Sequence, residues 1–282
     1  MAKQTGGQLI SGDEMSDFFI EIKPPFEIRP VLRKRKEYFS ETVAREGKTL
    51  SVVINANFYD LSGFGALSAL SGHPRLDPDN TTVQGIVVHN KTVIAGTKRP
   101  QDFFIAYYKE KAVSGDLTQA FVSGKGDPPT DSSVGLSGLG PLIINGLAYG
   151  SRNQYLAGTA ANAPPIGEPG EFASSLRQRS SAKFTAFAKR DADEEFQLGK
   201  TCLGVSANRL FIYVQAHGTP GKSIGDVRDK FIAQGCKHAV FFDGSDSAML
   251  FQNGQFKVSQ GEDKDETCVI GLGFKYDDGS KR

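Results

Sequence analysis

Between residues 203 and 243 the chain follows an order of elements that few architectures accept. Two apolar runs, 203–205 and 210–214, flank the turn residues Asn208 and Arg209, an amphipathic stretch follows, and a third run, 238–242, ends on Asp243. In the amphipathic stretch Val227, Phe231 and Ile232 fall at i, i+4 and i+5 among Asp226, Arg228, Asp229 and Lys230, and Gly235 stands where a helix C-cap glycine belongs. The succession strand, strand, helix, strand predicts a sheet that presents Asp243 just past the C-terminal end of a strand, where α/β sheets gather their ligands.

The rest of the chain supplies further strands. Phe18, Ile20 and Ile22 alternate with other residues until Pro24 and Pro25 stop the run, which predicts a strand over 17–23. Leu50, Val52, Val53 and Ile54 form a short apolar run that delivers the polar segment from Asn55 to Asp60 at its end. Residues 85–89 and 92–95, separated by Asn90 and Lys91, read as a tight hairpin, and 103–108 as an aromatic-rich strand. Residues 123–140, rich in Gly, Ser, Pro and Asp, read as loop, with apolar patterning resuming over 141–145. Residues 151–179 read as a second long loop. No shift of composition separates two cores, so the expectation is a single domain over 1–282 with long loops, in which 1–49 form an N-terminal extension and the first strands. The fold class is α/β in the α+β sense: a mixed, mostly antiparallel sheet with few helices.

Charge and cysteine usage exclude several functions. Lys plus Arg number 33 against 32 Asp plus Glu, and a net charge of +1 gives no general attraction to nucleic acid. The cluster Arg33-Lys34-Arg35-Lys36 reads as a solvated face or loop ahead of a phosphate-binding patch. Cys202, Cys236 and Cys268 are widely spaced and read as core thiols, and His73, His89 and His238 lack ligand spacing, so no zinc site is legible. No signal-peptide pattern opens the chain and no run approaches the ~18 apolar residues of a membrane span. The expectation is therefore a cytoplasmic protein with no membrane partner, its oligomeric state left open.

The segment Phe241-Phe242-Asp243-Gly244-Ser245-Asp246-Ser247 sets two carboxylates and two hydroxyls directly after a buried run. One reading is a turn in which Asp and Ser cap the backbone and Gly244 supplies a positive φ. The other is a loop where a carboxylate handles charge or a proton while hydroxyls and backbone N–H groups hold an anionic or sugar ligand. His217 follows the 210–214 run in a Gly- and Pro-containing loop at the same sheet end, either as a proton shuttle or simply exposed, and Lys222 beside it is a candidate phosphate contact. For Asn55 and Asn57 the plain alternative is an amide that caps backbone at a strand end.

These residues together resemble the phosphodiester glycosidase family. The resemblance rests on the 210–247 region, on Ile54-Asn55-Ala56-Asn57-Phe58-Tyr59-Asp60, and on Gly140-Pro141-Leu142-Ile143-Ile144-Asn145-Gly146, in the family's order across 50–275. It implies a hydrolase that cleaves a glycosidic bond between a sugar and a phosphate, as in a sugar-1-phosphodiester or a nucleotide-like substrate. Asp243 is then the carboxylate that stabilises an oxocarbenium-like centre, Asn57 a donor to a sugar hydroxyl or phosphate oxygen, His217 a shuttle, and Asp246 a reserve acid, base or metal ligand. Asn55, Asp60, Gly140, Lys200, Thr201, Lys222, Gly244, Ser245 and Ser247 are the implied substrate contacts. Two departures stand out: many members carry a second glycine after the Asp-Gly pair where this chain has Ser245, and Arg-Thr where it has Lys200-Thr201. No cofactor is required, and a divalent cation held by Asp243 and Asp246 is compatible with the loop. The rival readings are a binding module that sequesters a nucleotide or sugar phosphate, and an interaction protein that uses its long loops as a partner surface.

Overall fold

The computed structural model describes residues 7–11, 17–34, 37–60, 82–100, 102–149, 181–261 and 268–276. In chain order the strands of the first half are β1 (Gly7–Ser11), β2 (Asp17–Ile22), β3 (Phe26–Leu32), β4 (Val52–Asn55), β5 (Tyr59–Asp60), β6 (Thr82–Val83), β7 (Gly85–His89), β8 (Thr92–Thr97) and β9 (Phe103–Tyr107). The second half adds β10 (Phe121–Lys125), β11 (Val134–Ile144), β12 (Leu147–Ala148), β13 (Lys200–Val205), β14 (Leu210–Gln215), β15 (His238–Phe241), β16 (Leu250–Gln252), β17 (Gln255–Val258) and β18 (Ile270–Tyr276). Among the described residues the α-helices are α1 (Phe39–Glu46), α2 (Leu117–Ala120), α3 (Ser181–Asp193) and α4 (Ile224–Ala233).

The larger sheet runs β1-β2-β14-β13-β15-β11-β7-β8, with β9, β10 and β12 attached through β11, and the smaller runs β17-β16-β4-β18-β3. The ladders between strands are antiparallel, and an isolated parallel bridge joins Gln84 to Thr97. The fold is thus α+β with mostly antiparallel sheets, as the sequence pattern predicts. β14 and β15 both run antiparallel to β13, which lies between them. Helix α4 therefore carries the chain across β13 and returns it parallel to β14, which is how Asp243 comes to stand at the C-terminal end of a central strand.

Alternation assigns the faces, because successive side chains on a strand point to opposite sides. On β2 and β14, Phe18, Ile20, Ile22, Leu210, Ile212 and Val214 meet Val52, Ile54, Leu272 and Phe274 of the smaller sheet in the main core. Phe19, Phe211 and Tyr213 point the other way and are covered by Ile224, Val227 and Phe231 of α4 and Phe184 of α3. Helix α1 covers the outer face of the smaller sheet, packing Phe39 and Val43 on Val31, Val53 and Phe251. Strands covered on both faces lose the polar half of the alternation, so β13, β14 and β15 read as continuous buried runs. Each large apolar side chain buried this way contributes roughly 1.5–3 kcal/mol relative to leaving it in water.

The hairpin at Asn90 and Lys91 forms with both residues at positive φ, 49° and 64°, the signature of a two-residue primed turn. All three cysteines are buried and unpaired with each other. Two expectations fail. Residues 123–140 are loop only over 126–133: β10 extends to Lys125 and β11 starts at Val134. The glycines that suggested a loop are there because neighbours come too close for a side chain; a Cβ on Gly140 would lie 1.9 Å from the Phe241 ring, and one on Gly138 would lie 2.1 Å from the Gln84 carbonyl oxygen. Arg33, expected on a solvated face, is 6% exposed. Residues 151–179 and His73 lie outside the described residues. No helix among the described residues is long and apolar enough to cross a membrane.

Candidate functional site

The C-terminal ends of β4 and β15, one from each sheet, converge. Asn55 is fully buried. Its Nδ2 donates to the Asp243 carbonyl at 2.8 Å, and its Oδ1 accepts from the Thr201 hydroxyl at 2.6 Å and from the Met249 N–H at 3.0 Å. The Asp243 N–H donates back to the Ala56 carbonyl at 3.1 Å, and the Phe242 N–H to the Thr201 carbonyl at 2.9 Å. One amide side chain thus ties β4 and β13 to the segment that joins β15 to β16. Because every polar group of Asn55 is spent on the protein, its position caps backbone, as the plain alternative holds, and it fixes where Asp243 sits.

Beyond Asp243 the chain forms a 3-10 turn, Ser245–Ser247. The positive φ falls on Ser245, at 58°, and Gly244 is extended at φ −120°. Gly244 is glycine for want of room: a Cβ would approach the Gly199 carbonyl oxygen and the Phe187 ring of α3 to 2.6 Å each. The Asp243 Oδ1 accepts from the Gly244 N–H at 3.1 Å. Ser245 is held by its N–H to the Gly199 carbonyl at 2.8 Å and by its hydroxyl, which accepts from the Arg190 guanidinium at 3.3 Å. The turn is strapped from the far side by Gln260, whose Nε2 donates to the Ser247 carbonyl at 2.7 Å, and by the Gly261 N–H to the Asp246 carbonyl at 2.8 Å. Asp246 is half-buried and Ser247 is buried.

Asn57, buried beside Ala56, donates through Nδ2 to the carbonyls of Ser137 and Gln84. Its Oδ1 is buried with no hydrogen-bond partner. A buried acceptor left without a donor costs free energy comparable to a lost hydrogen bond, so Asn57 offers an unfilled acceptor and its donors are committed. With Nδ2 committed to two protein carbonyls, Asn57 has no spare donor for a phosphate oxygen.

His217 is exposed, and its Nδ1 accepts from the Gly199 N–H at 3.3 Å, so one residue, Gly199, whose carbonyl accepts from the Ser245 N–H, links it to Ser245. Lys200 is fully buried. Its ammonium donates to Asp191 at 2.6 Å, to the Leu198 carbonyl at 2.8 Å and to Gln215 Oε1 at 3.2 Å, while the other Asp191 oxygen accepts from the Ile224 N–H at the start of α4. Burial lowers the Lys200 pKa and raises that of Asp191, each opposed by the partner's charge. This ion pair anchors α3 and α4 to the sheet and leaves the ammonium no open face. Gly140 sits inside β11 against Phe241, Asp60 pairs with Thr82 in the β5–β6 ladder, and Lys222 is an exposed loop residue ahead of α4.

The site also holds groups that no sequence pattern marks as functional. Burial pushes the Cys268 thiol up to about 12, with Gln260 and the Ile270 carbonyl opposing and the charges of Asp243 and Arg33 acting in opposite senses; both therefore lie near it. Arg33 enters through β3, its N–H bonded to the Val269 carbonyl at 2.9 Å. Arg190 and Phe187 come from α3, whose Phe184, Phe187, Ala188 and Asp191 carry a helical i, i+3, i+4, i+7 period that would have disclosed it. Among the described residues, no group of three or more His, Cys, Asp or Glu side chains is placed to hold a metal ion.

No protein-family model matches the sequence, and no curated protein matches it. Solved structures do. The catalytic domain of zebrafish N-acetylglucosamine-1-phosphodiester alpha-N-acetylglucosaminidase, auto-inhibited by its pro-peptide, superposes with a TM-score of 0.54 at 12% identity, over 98% of this chain and 85% of that one. A hypothetical protein from Synechocystis gives 0.48 at 13% identity, over 95% of this chain and 61% of that one. A protein assigned as exported, from Burkholderia pseudomallei, gives 0.49 at 11%, over 92% and 73%. This chain thus spans less than two thirds of the Synechocystis protein. The likeness to the zebrafish domain is a distant relation of fold.

Proposed function

We propose that this protein is a hydrolase that cleaves the glycosidic bond between a sugar and a phosphate. The observation that supports the reading is the cross-stitching of the Asp243 backbone to the Asn55–Ala56 strand end, next in sequence to Asn57, whose buried Oδ1 has no hydrogen-bond partner. The distant fold relation to a phosphodiester glycosidase domain supports it.

In this reading the bond between the anomeric carbon and the phosphate oxygen breaks and its electron pair leaves with the phosphate. A phosphomonoester is a stable leaving group near neutrality, so little protonation is needed. Asp243 stabilises the positive charge that develops at the sugar. The Ser245 hydroxyl and the Arg190 guanidinium face the departing phosphate. Water completes the reaction at the anomeric carbon, and His217 or Asp246 takes its proton.

The test is to incubate the purified protein with sugar-1-phosphodiesters, nucleotide sugars and nucleotides and to follow products by mass spectrometry. A free sugar with a phosphomonoester is expected, and Asp243→Asn should lower turnover by about 10²- to 10⁴-fold with an unchanged melting curve. A compound that stays bound and intact would replace this reading with a binding module, and full activity in Asp243→Asn would remove Asp243 from the chemistry.

A further inference from the structure

Strand β3 links two sites. Leu32, at its end, pairs with Ile270 near Cys268, and Phe26, at its start, pairs with Tyr276. Seven residues of strand at about 3.3 Å each put the two ends roughly 20 Å apart. At the Phe26 end, the edge of the smaller sheet meets β7, β9 and β11 of the larger one around a cavity of about 180 Å³.

Ile28, Tyr107 and Val134, all buried, and the half-buried Phe26 form its floor. The Phe26 and Tyr107 rings stand 6.1 Å apart at 40°, and both residues line the cavity. A dry cavity of about 150 Å³ is known to hold a benzene ring, so this one accommodates a six-membered ring with one small substituent. The rim is charged. Arg29 is occupied by Glu46 at 2.8 Å and Thr49 at 3.0 Å. By contrast Lys109, Tyr107, His89 and Glu27 also line the cavity, and the Lys109 ammonium, the Tyr107 hydroxyl, the His89 ring nitrogens and the Glu27 carboxylate make no hydrogen bond or ion pair with another described residue. Burial, then the Arg29 charge, holds the His89 imidazole below its usual range, so it is uncharged near neutrality. Burial, then the nearby Glu110 charge, raises the Tyr107 phenol, which stays a donor. Among the described residues that line the cavity, Lys109 is the cation without an ion pair and Glu27 the acid, and Glu110 stands close by, accepting from the hydroxyl of the lining Ser133 at 3.3 Å.

We propose that this cavity binds a small aromatic carboxylate, its ring against Phe26 and Tyr107 and its carboxylate toward the Lys109 ammonium and the Tyr107 hydroxyl. The site is independent of the chemistry at Asp243.

The test uses the whole chain and three probes with one ring in common, benzoate, benzamide and benzylamine, titrated by calorimetry or ligand-observed NMR. Benzoate should bind saturably, and benzamide and benzylamine about threefold or more weakly, in keeping with a partly exposed charge contact. Lys109→Gln should weaken benzoate by about threefold, and Glu27→Gln should tighten it by a similar factor, since it removes a like charge. Both side chains are exposed, so neither substitution threatens folding. Tyr107→Phe keeps the ring and should weaken benzoate alone. Equal binding of benzoate and benzamide, preference for benzylamine, indifference to Lys109→Gln, or no saturation by about 10 mM benzoate would each overturn the proposal.

Discussion

Asn55 of the smaller sheet donates its Nδ2–H to the backbone carbonyl of Asp243, 2.8 Å away on the larger one. The contact joins the two sheets where their strands end, and it does so through a residue that faces no solvent. Replacing Asn55 by Ala would strand three buried groups at once: the Asp243 carbonyl, the Thr201 hydroxyl and the Met249 N–H. Each costs roughly 1–3 kcal/mol when left unsatisfied, so chemical denaturation of Asn55→Ala should show a loss of about 3 kcal/mol or more. Asn55→Asp keeps the acceptor and loses the donor, and should retain part of that stability while displacing Asp243. An Asn55→Ala chain as stable as the parent would mean that the clamp carries no weight.

The buried Lys200–Asp191 pair makes a second prediction. Removal of one partner leaves an uncompensated buried charge, so Lys200→Met and Asp191→Leu should each destabilise by about 3–5 kcal/mol. The double variant should recover much of the loss. If Lys200 instead touched the phosphate of a substrate, Lys200→Met would fold normally and lose affinity.

A third concerns pH. His238 is buried, with its Nδ1 2.7 Å from the Ser123 hydroxyl, and burial holds its pKa below the usual value against an opposing backbone contact with Thr118. The folded pKa is below the unfolded one of ~6.5, so the unfolded chain takes up the proton first. This contribution to stability is complete above about pH 6.5 and is lost as pH falls through the folded pKa. The melting temperature should drop between pH 7 and 5, and His238→Gln should flatten that slope. The slope should not vanish, because His89 is depressed as well, first by burial and then by Arg29. Identical slopes in parent and variant would exclude His238 as the source.

Gly140 separates a structural role from a ligand contact. The Phe241 ring occupies the place of its Cβ, so Gly140→Ala should cost about 1–3 kcal/mol by overpacking. Any turnover measured per folded molecule should be unchanged. A stable Gly140→Ala chain with impaired turnover would restore the ligand role.

The sequence disclosed most where periodicity and chemistry coincide. The runs before Asn208 and after Arg209, the helix closing at Gly235 and the strand feeding Asp243 appear where the pattern puts them. It misled where composition stood in for packing, since Gly135, Gly138 and Gly140 look like loop residues and are strand residues crowded by neighbours. Arg33 was hidden for a related reason: a run of basic residues carries no sign of which member turns inward. The polarity of Asn57 was beyond reach, because only the carbonyls of Ser137 and Gln84, distant in sequence, decide which end of the amide is spent.

Ser245 occupies a backbone conformation, φ 58°, that glycine adopts freely and other residues reach at a cost of roughly 1–2 kcal/mol. The phosphodiester glycosidases that this chain resembles often place glycine there. The loop therefore follows a path suited to glycine while carrying a hydroxyl that Arg190 grips. A pattern that demands glycine at this position would reject the loop, although its main chain takes a path that glycine favours. Kinship among such loops is better traced through the shape of the main chain than through the spelling of its side chains.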